Sequence, residues 1–230
     1  MNSGCLSATV ADNRVRGSCS LRKVLYRQIP NSITIARLAL AVVFFVLLNV
    51  HDEASFVWHM KIAFAVFLVA VFTDILDGYL ARAWKVESAF GRVVDPFVDK
   101  LLICGAFIFF ASNDFINVAI KTTQYPDHAS LNVTGVHPWM AVVIIAREFL
   151  VTSIRGLAEA RGINFGADWA GKTKMVIQSV AVGAILVDMA LVSKVAWVHQ
   201  TRTCAIWIAV IVTVLSATTY VMKARKVLAE

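Results

Sequence analysis

The sequence predicts an all-α, polytopic membrane protein with six transmembrane helices. Three observations carry that prediction. Of 230 residues, 59% are hydrophobic and only 16% are charged, which is too little polar surface for a water-soluble globule of this size. Apolar runs recur along the whole chain at the length a bilayer requires, about 20 residues of helix for about 30 Å of hydrocarbon. The basic residues, finally, segregate to alternate connections between those runs.

The runs are helical because lipid offers no partner to a free N–H or C=O, so each must close its own backbone hydrogen bonds. The first, 31–50, follows Pro30, whose fixed φ and missing N–H suit the start of a helix. The second covers 61–80. The third covers 94–111, and Gly91 through Pro96 reads as a turn leading into it. The fourth, fifth and sixth cover 139–154, 176–192 and 204–221. Trp58, Trp84, Trp139, Trp169, Trp197 and Trp207 fall near the ends of runs, where amphipathic rings favour the membrane interface.

Alternation of six spans puts Arg14, Arg16, Arg22, Lys23 and Arg27 on the same side as Arg82, Lys85, Arg92 and Lys100. Arg155, Arg161, Lys172 and Lys174 join them, as do Lys223, Arg225 and Lys226. The opposite side receives only Lys61, Lys121, Lys194 and Arg202, while Arg37 and Arg147 lie inside spans. Basic residues are retained in the cytoplasm, so both termini are expected there, with a long outer loop over 112–138. Two domains result: a cytoplasmic tail over 1–29, with 21–28 lying amphipathically on the membrane, and a six-helix domain over 30–230. The tail is Ser- and Arg-bearing and acid-poor, which also fits a targeting segment, but the surface-lying tail is the simpler reading.

The formal charge of +7 on a hydrocarbon-compatible chain points to anionic lipid head groups or phosphorylated substrates rather than nucleic acid. Cys5, Cys19, Cys104 and Cys204 lack metal-ligand spacing and read as free thiols. His51, His59, His128, His137 and His199 map to the outer side, so a zinc site is not expected. Asp188, near the outer end of the fifth span, reads as a helix-packing residue.

The acids are the informative residues. Asp74, Asp77, Asp95 and Asp99 sit at the cytoplasmic end of the second helix and the start of the third. A carboxylate at the centre of a membrane helix costs about 2.5–3.5 kcal/mol, so four near the bilayer need a compensating partner. Asp74 and Asp77 share one helical face, and Gly91, Asp95 and Asp99 follow one stripe at four-residue spacing. The short connection between the two helices can turn those stripes toward each other. Four convergent carboxylates suit a hard divalent cation, Mg²⁺ or Mn²⁺, and have oxygens enough for two. Pairing of the same acids with Arg82, Arg92 and Lys100 is the competing structural explanation. It leaves Gly78, Ala81 and Gly91 unexplained, small residues that leave bare backbone where a flat base or phosphate could pack.

Written out, the segment is Asp74-x-x-Asp-Gly-x-x-Ala-Arg82, eight residues, then Gly91-x-x-x-Asp95-x-x-x-Asp99. It resembles the signature of the CDP-alcohol phosphatidyltransferase family at every motif position. The resemblance implies a six-helix integral membrane enzyme, commonly a homodimer, whose metal ions bind the diphosphate of a CDP-linked lipid. It implies that Asp74, Asp77 and Asp95 are metal ligands, and that Asp99 is both a ligand and the catalytic proton acceptor. It also implies that Gly78, Ala81, Arg82, Ser88 and Gly91 border the nucleotide of CDP-diacylglycerol, with Asn31 and Ser32 at the head of the first helix close by.

The acceptor has to be sought outside the motif. Arg147 lies inside the fourth span, Arg155 follows on nearly the same face, and Lys172 opens the fifth, a set that suits a doubly charged phosphate. For Arg147 the competing reading is an ion pair with Glu148 or another intramembrane acid. The stretch from Ala146 to Ala158, with Gly171 to Gln178, is similar to the matching segments of bacterial phosphatidylglycerophosphate synthases. That similarity implies sn-glycerol 3-phosphate as acceptor, phosphatidylglycerophosphate and CMP as products, and a bacterial inner membrane as location. The alternatives are the same chemistry on inositol phosphate or serine, a divalent-cation carrier using the acids in translocation, or a prenyltransferase.

Overall fold

The computed structural model describes residues 35–49, 55–84, 89–112, 134–161, 169–191 and 196–228. Within these, the side chains of 75–96, 99, 159, 169–172, 196, 223 and 226–228 lie outside the description. Apart from short stretches at 55, 111–112, 134–137 and 161, the described residues are helical: α1 Ile35–Asn49, α2 Phe56–Trp84, α3 Ala89–Phe110, α4 Pro138–Ala160, α5 Trp169–Leu191 and α6 Ala196–Leu228. The predicted tail, the head of the first helix at Pro30, Asn31 and Ser32, and most of the outer loop fall outside the described residues.

Where it is described, each apolar run is helical as expected, and from α2 onward the helices run past their apolar centres. Once a helix is nucleated, the adjoining polar turns extend it at one hydrogen bond per residue. Among the described residues, three helices contain stretches long and apolar enough to cross a membrane: Phe56–Asp74, Thr173–Leu191 and Trp197–Met222. One expectation needs correcting. Gly91 through Pro96 is not a turn, because α3 is already helical from Ala89. Proline at that depth removes one backbone hydrogen bond, a loss that membrane helices tolerate where neighbours re-satisfy the freed carbonyl.

Side-chain contacts give the helix directions. Arg37 meets Asp74 and Phe44 meets Phe67, so α1 and α2 are antiparallel. Lys100 meets Thr152, and the Phe110 carbonyl accepts a hydrogen bond from Thr134 just before α4, so α3 and α4 are antiparallel. Trp139 packs on Trp207 and Arg147 reaches Ser216, so α4 and α6 are parallel neighbours. Gln178 reaches Thr213 and Asp188 reaches Arg202, so α5 and α6 are antiparallel.

The core is apolar and close-packed, built around Phe44, Phe67, Phe107, Phe110, Met140, Ile144 and Ile185. Phe45 lies stacked on Phe109, ring centroids 5.5 Å apart. Gly105 makes this possible, since a Cβ there would stand 2.3 Å from the Phe45 ring. Such small-residue contacts let membrane helices associate by packing, because lipid supplies no hydrophobic drive between them. Large apolar side chains are exposed on every helix, among them Val46, Phe72, Ile108, Val142, Val180 and Leu215. That exterior would be unstable in water and is matched to hydrocarbon.

The two ends of the bundle differ. At one, Asp188 is buried and bound by Arg202 Nη1 at 2.5 Å and by His199 Nδ1 at 3.0 Å, which bears out its reading as a packing residue. Gly135, with a φ of 72°, lies beside the Arg202 guanidinium there, in a left-handed conformation that glycine adopts without strain. The other end carries Lys100, Arg147, Glu148, Arg155 and Lys174. From Lys174 to Asp188 is about 21 Å along α5 at 1.5 Å per residue.

Candidate active site

The polar end is assembled from all six helices. On α1, Arg37 shares a face with Ala41, Phe44 and Leu48, all buried, and its Nη1 lies 2.7 Å from Asp74 Oδ1 on α2. The Asp74 side chain keeps 37% exposure, so the pair sits at the edge of the core rather than within it. The sequence expectation placed alternative partners for the acids at Arg82, Arg92 and Lys100. For Asp74 the observed partner is on another helix.

The backbones of α2 and α3 carry the other acids. Asp74 and Asp77 lie three residues apart within α2, and Gly91, Asp95 and Asp99 recur at four-residue spacing within α3. The side chains of Asp77, Gly78, Ala81, Arg82, Gly91, Asp95 and Asp99 lie outside the described residues, as does Ser88 entirely. Among the described residues no three His, Cys, Asp or Glu side chains form a metal cluster. The chemistry of the acids still fits a divalent ion: every donor is a carboxylate oxygen, and α2 and α3 hold them at helical spacings that share a face.

Next to Asp99 in sequence, Lys100 Nζ donates a hydrogen bond to Thr152 Oγ1 on α4. The Thr152 hydroxyl donates in turn to the Glu148 carbonyl one turn back, at 2.7 Å. This joint sets α3 at Lys100 beside α4 at Thr152, between Arg147 and Arg155 in sequence.

Arg147 is buried, and three contacts hold it. Its Nη1 lies 3.3 Å from Glu148 Oε1, its Nε donates to Ser216 Oγ at 3.0 Å, and its guanidinium carbon stands 5.5 Å from the centre of the Tyr220 ring. Lys174 on α5 is buried against the same Glu148 carboxylate. Arg155 Nη2 donates to the Tyr220 hydroxyl at 3.3 Å. Gln178, Thr213 and Ser216 extend the network into the bundle: Gln178 Nε2 donates to Thr213 Oγ1 at 3.0 Å, and Ser216 Oγ donates to the Thr213 carbonyl at 3.1 Å.

Of the three predicted phosphate-binding residues, Arg147 and Arg155 therefore converge on Tyr220, while the Lys172 side chain lies outside the described residues. The competing pair with Glu148 is present as well, but it does not exhaust Arg147. Among the described residues, Arg147 Nη2 and Arg155 Nε are buried without a hydrogen-bond partner. Burying two cations against one carboxylate, with donors to spare, is costly unless an anion completes the set. Sequence reasoning missed Lys174 as a buried partner, along with Ser216 and Tyr220. The signal for the last two was there, as polar groups recurring at Thr213, Ser216 and Tyr220 within an otherwise apolar run.

A sequence model of the CDP-alcohol phosphatidyltransferase family matches residues 27–215, which include every acid of the motif and both arginines of α4. The chain belongs to that family. It is also similar to curated proteins over most of their length. A CDP-diacylglycerol–glycerol-3-phosphate 3-phosphatidyltransferase of Bacillus subtilis (strain 168) is 33% identical over 204 residues, covering 85% of this chain and 94% of that protein. A probable phosphatidylglycerophosphate synthase of Mycobacterium tuberculosis (strain ATCC 25618 / H37Rv) is 31% identical over 198 residues, covering 84% and 80%. A Rickettsia felis protein named like the first is 25% identical over 200 residues, covering 87% and 97%. The family resemblance drawn from the aspartate motif and the closer one drawn from the α4 and α5 segments are thus both borne out.

Proposed function

We propose that the chain transfers the phosphatidyl group of CDP-diacylglycerol to sn-glycerol 3-phosphate, giving phosphatidylglycerophosphate and CMP. The names of its relatives support this reading. The structural observation that carries it is the Lys100–Thr152 joint, which sets the acid-bearing α3 beside an α4 stretch with two arginines. A diphosphate electrophile and a phosphorylated nucleophile require that juxtaposition of anionic and cationic donors.

In this reading Asp74, Asp77, Asp95 and Asp99 hold one or two Mg²⁺ or Mn²⁺ ions. When bound, the ions neutralise the diphosphate and the charge that builds on the leaving oxygen. Gly78, Ala81, Arg82, Ser88 and Gly91, with Asn31 and Ser32, border the nucleotide-lipid. Arg147, Arg155 and Lys172 grip the acceptor's phosphate, which fixes its free hydroxyl near Asp99 and lowers the entropic barrier to attack. Asp99 takes the hydroxyl proton. The freed oxygen bonds to the phosphorus that carries diacylglycerol, the bond from that phosphorus to the CMP oxygen breaks, and CMP leaves. The same reading has six spans, a cytoplasmic-side site with both termini in the cytoplasm, a tail over 1–29, a homodimer and a bacterial inner membrane.

The test is CMP release by the purified chain in lipid micelles with CDP-diacylglycerol and each alcohol in turn. Release with glycerol 3-phosphate, lost on chelation and restored by Mg²⁺ or Mn²⁺, is expected. Turnover with inositol phosphate or serine but not glycerol 3-phosphate would overturn the acceptor. Divalent-ion flux into proteoliposomes without CMP release would favour a carrier.

A further inference from the structure

Three polar groups at the α4–α6 seam have hydrogen-bonding capacity that the described protein does not use. Arg147 Nη2 and Arg155 Nε are buried donors without a partner among the described residues. The Tyr220 hydroxyl accepts from Arg155 Nη2 at 3.3 Å, and no described residue takes its own proton. Tyr220 is 2% exposed and touches both arginines, with its ring face against Arg147 and its oxygen against Arg155. A buried donor left unmade is costly, so two such guanidinium N–H groups beside a hydroxyl with its own proton to give mark a position for an acceptor-rich, anionic group.

We propose that Tyr220 is the positioning residue of the acceptor-phosphate site: its ring aims Arg147, its oxygen aims Arg155, and its O–H joins their free N–H groups on one phosphate. The inference rests on the acceptor reading above and adds α6 to a site read from α4 and α5 alone. The physical logic is that guanidinium binds phosphate as a fork, which works only when its plane is fixed. Arg147 has Ser216 and Glu148 to help hold it. Arg155 has only the Tyr220 hydroxyl among the described residues, so it is the arginine most exposed to loss of that group.

The test compares the wild-type protein with Tyr220→Phe, which keeps the ring and removes the hydroxyl, and with Tyr220→Leu, which removes both. Two readouts are taken in lipid micelles: kinetics with glycerol 3-phosphate and CDP-diacylglycerol, and calorimetric binding of inorganic phosphate without turnover. Tyr220→Phe should raise the KM for glycerol 3-phosphate and weaken phosphate binding about 10-fold, leaving kcat and the KM for CDP-diacylglycerol within about twofold. Tyr220→Leu should lose about 100-fold or more in both readouts, as the ring contact is lost as well. Phosphate binding and acceptor KM unchanged in Tyr220→Phe would overturn the proposal while leaving the acceptor reading intact. So would a fall in kcat with both KM values rising together, the mark of a merely structural role. Weakened phosphate binding in Tyr220→Phe, in a protein that does not turn over glycerol 3-phosphate, would support the tyrosine's role and refute the acceptor. Absence of phosphate binding in the wild type would refute the proposal outright.

Discussion

Replacing Glu148 with glutamine keeps the side chain's shape and removes the one carboxylate that, among the described residues, faces both Arg147 and Lys174. At 3.3 Å and an effective dielectric of about 20, the Arg147–Glu148 attraction alone is about 5 kcal/mol before desolvation is counted. Lys174 faces the same carboxylate. Desolvation cancels much of this while the set is intact, yet in Glu148→Gln two buried cations face each other with no counter-charge among the described residues. Breaking a buried pair in this way costs about 3–5 kcal/mol. Lys174→Met should cost less, because Glu148 keeps Arg147 and a buried ammonium is replaced by an apolar chain of similar length. The double variant should be more stable than the sum of the singles implies, by about 1–3 kcal/mol. The assay is reversible unfolding in mixed detergent–lipid micelles, followed by tryptophan fluorescence. If Glu148→Gln stayed within about 1 kcal/mol of wild type, or Lys174→Met proved the costlier change, the ion triad would not be what organises this end of the bundle.

Three further outcomes are expected. Asp99→Asn should abolish CMP release while retaining most CDP-diacylglycerol binding, measured by calorimetry beside turnover, since in the proposed mechanism it removes the base and weakens only one metal. Arg155→Ala should raise the KM for glycerol 3-phosphate by about 10- to 100-fold, and an effect confined to the lipid substrate would disprove the pocket. Gly105→Ala should lower stability by about 1–3 kcal/mol, read as a lower thermal midpoint in micelles, because its Cβ would press into the Phe45 ring.

The helices were legible because the bilayer leaves the backbone one economical way to pair its polar groups, so apolar runs alone identify them. Their ends were less so. The sequence shows where hydrocarbon compatibility stops, whereas a helix stops where its backbone hydrogen bonds do, which is why α2 reaches Trp84 and α6 extends from Ala196 to Leu228. Gly91 and Pro96 carried a turn signal that the helical context of α3 overrode. At the site, Arg147 and Arg155 were conspicuous because a cation in an apolar run demands a reason. Their partners were not, since Arg155 and Tyr220 lie 65 residues apart and Arg147 and Ser216 lie 69 apart, so local pattern cannot link them. The Arg37–Asp74 pair escaped for the same reason. A reading of charges by nearness along the chain offers Arg82 to the motif, while the fold supplies a residue from α1.

The parallel pairing of α4 with α6 bears on biogenesis. Helices enter the membrane in order, so α4 delivers Arg147 and Arg155 to the bilayer before the segment bearing Ser216 and Tyr220 has been synthesised. An uncompensated arginine within a span, as Arg147 is, costs up to about 2.5–3.5 kcal/mol in that interval, and Glu148 beside it is the first relief to arrive. Arrival of α6 thus supplies the Ser216 and Tyr220 contacts that hold Arg147 and Arg155, so a ribosome-bound intermediate carries the aspartates of the motif before these arginines are fixed in place.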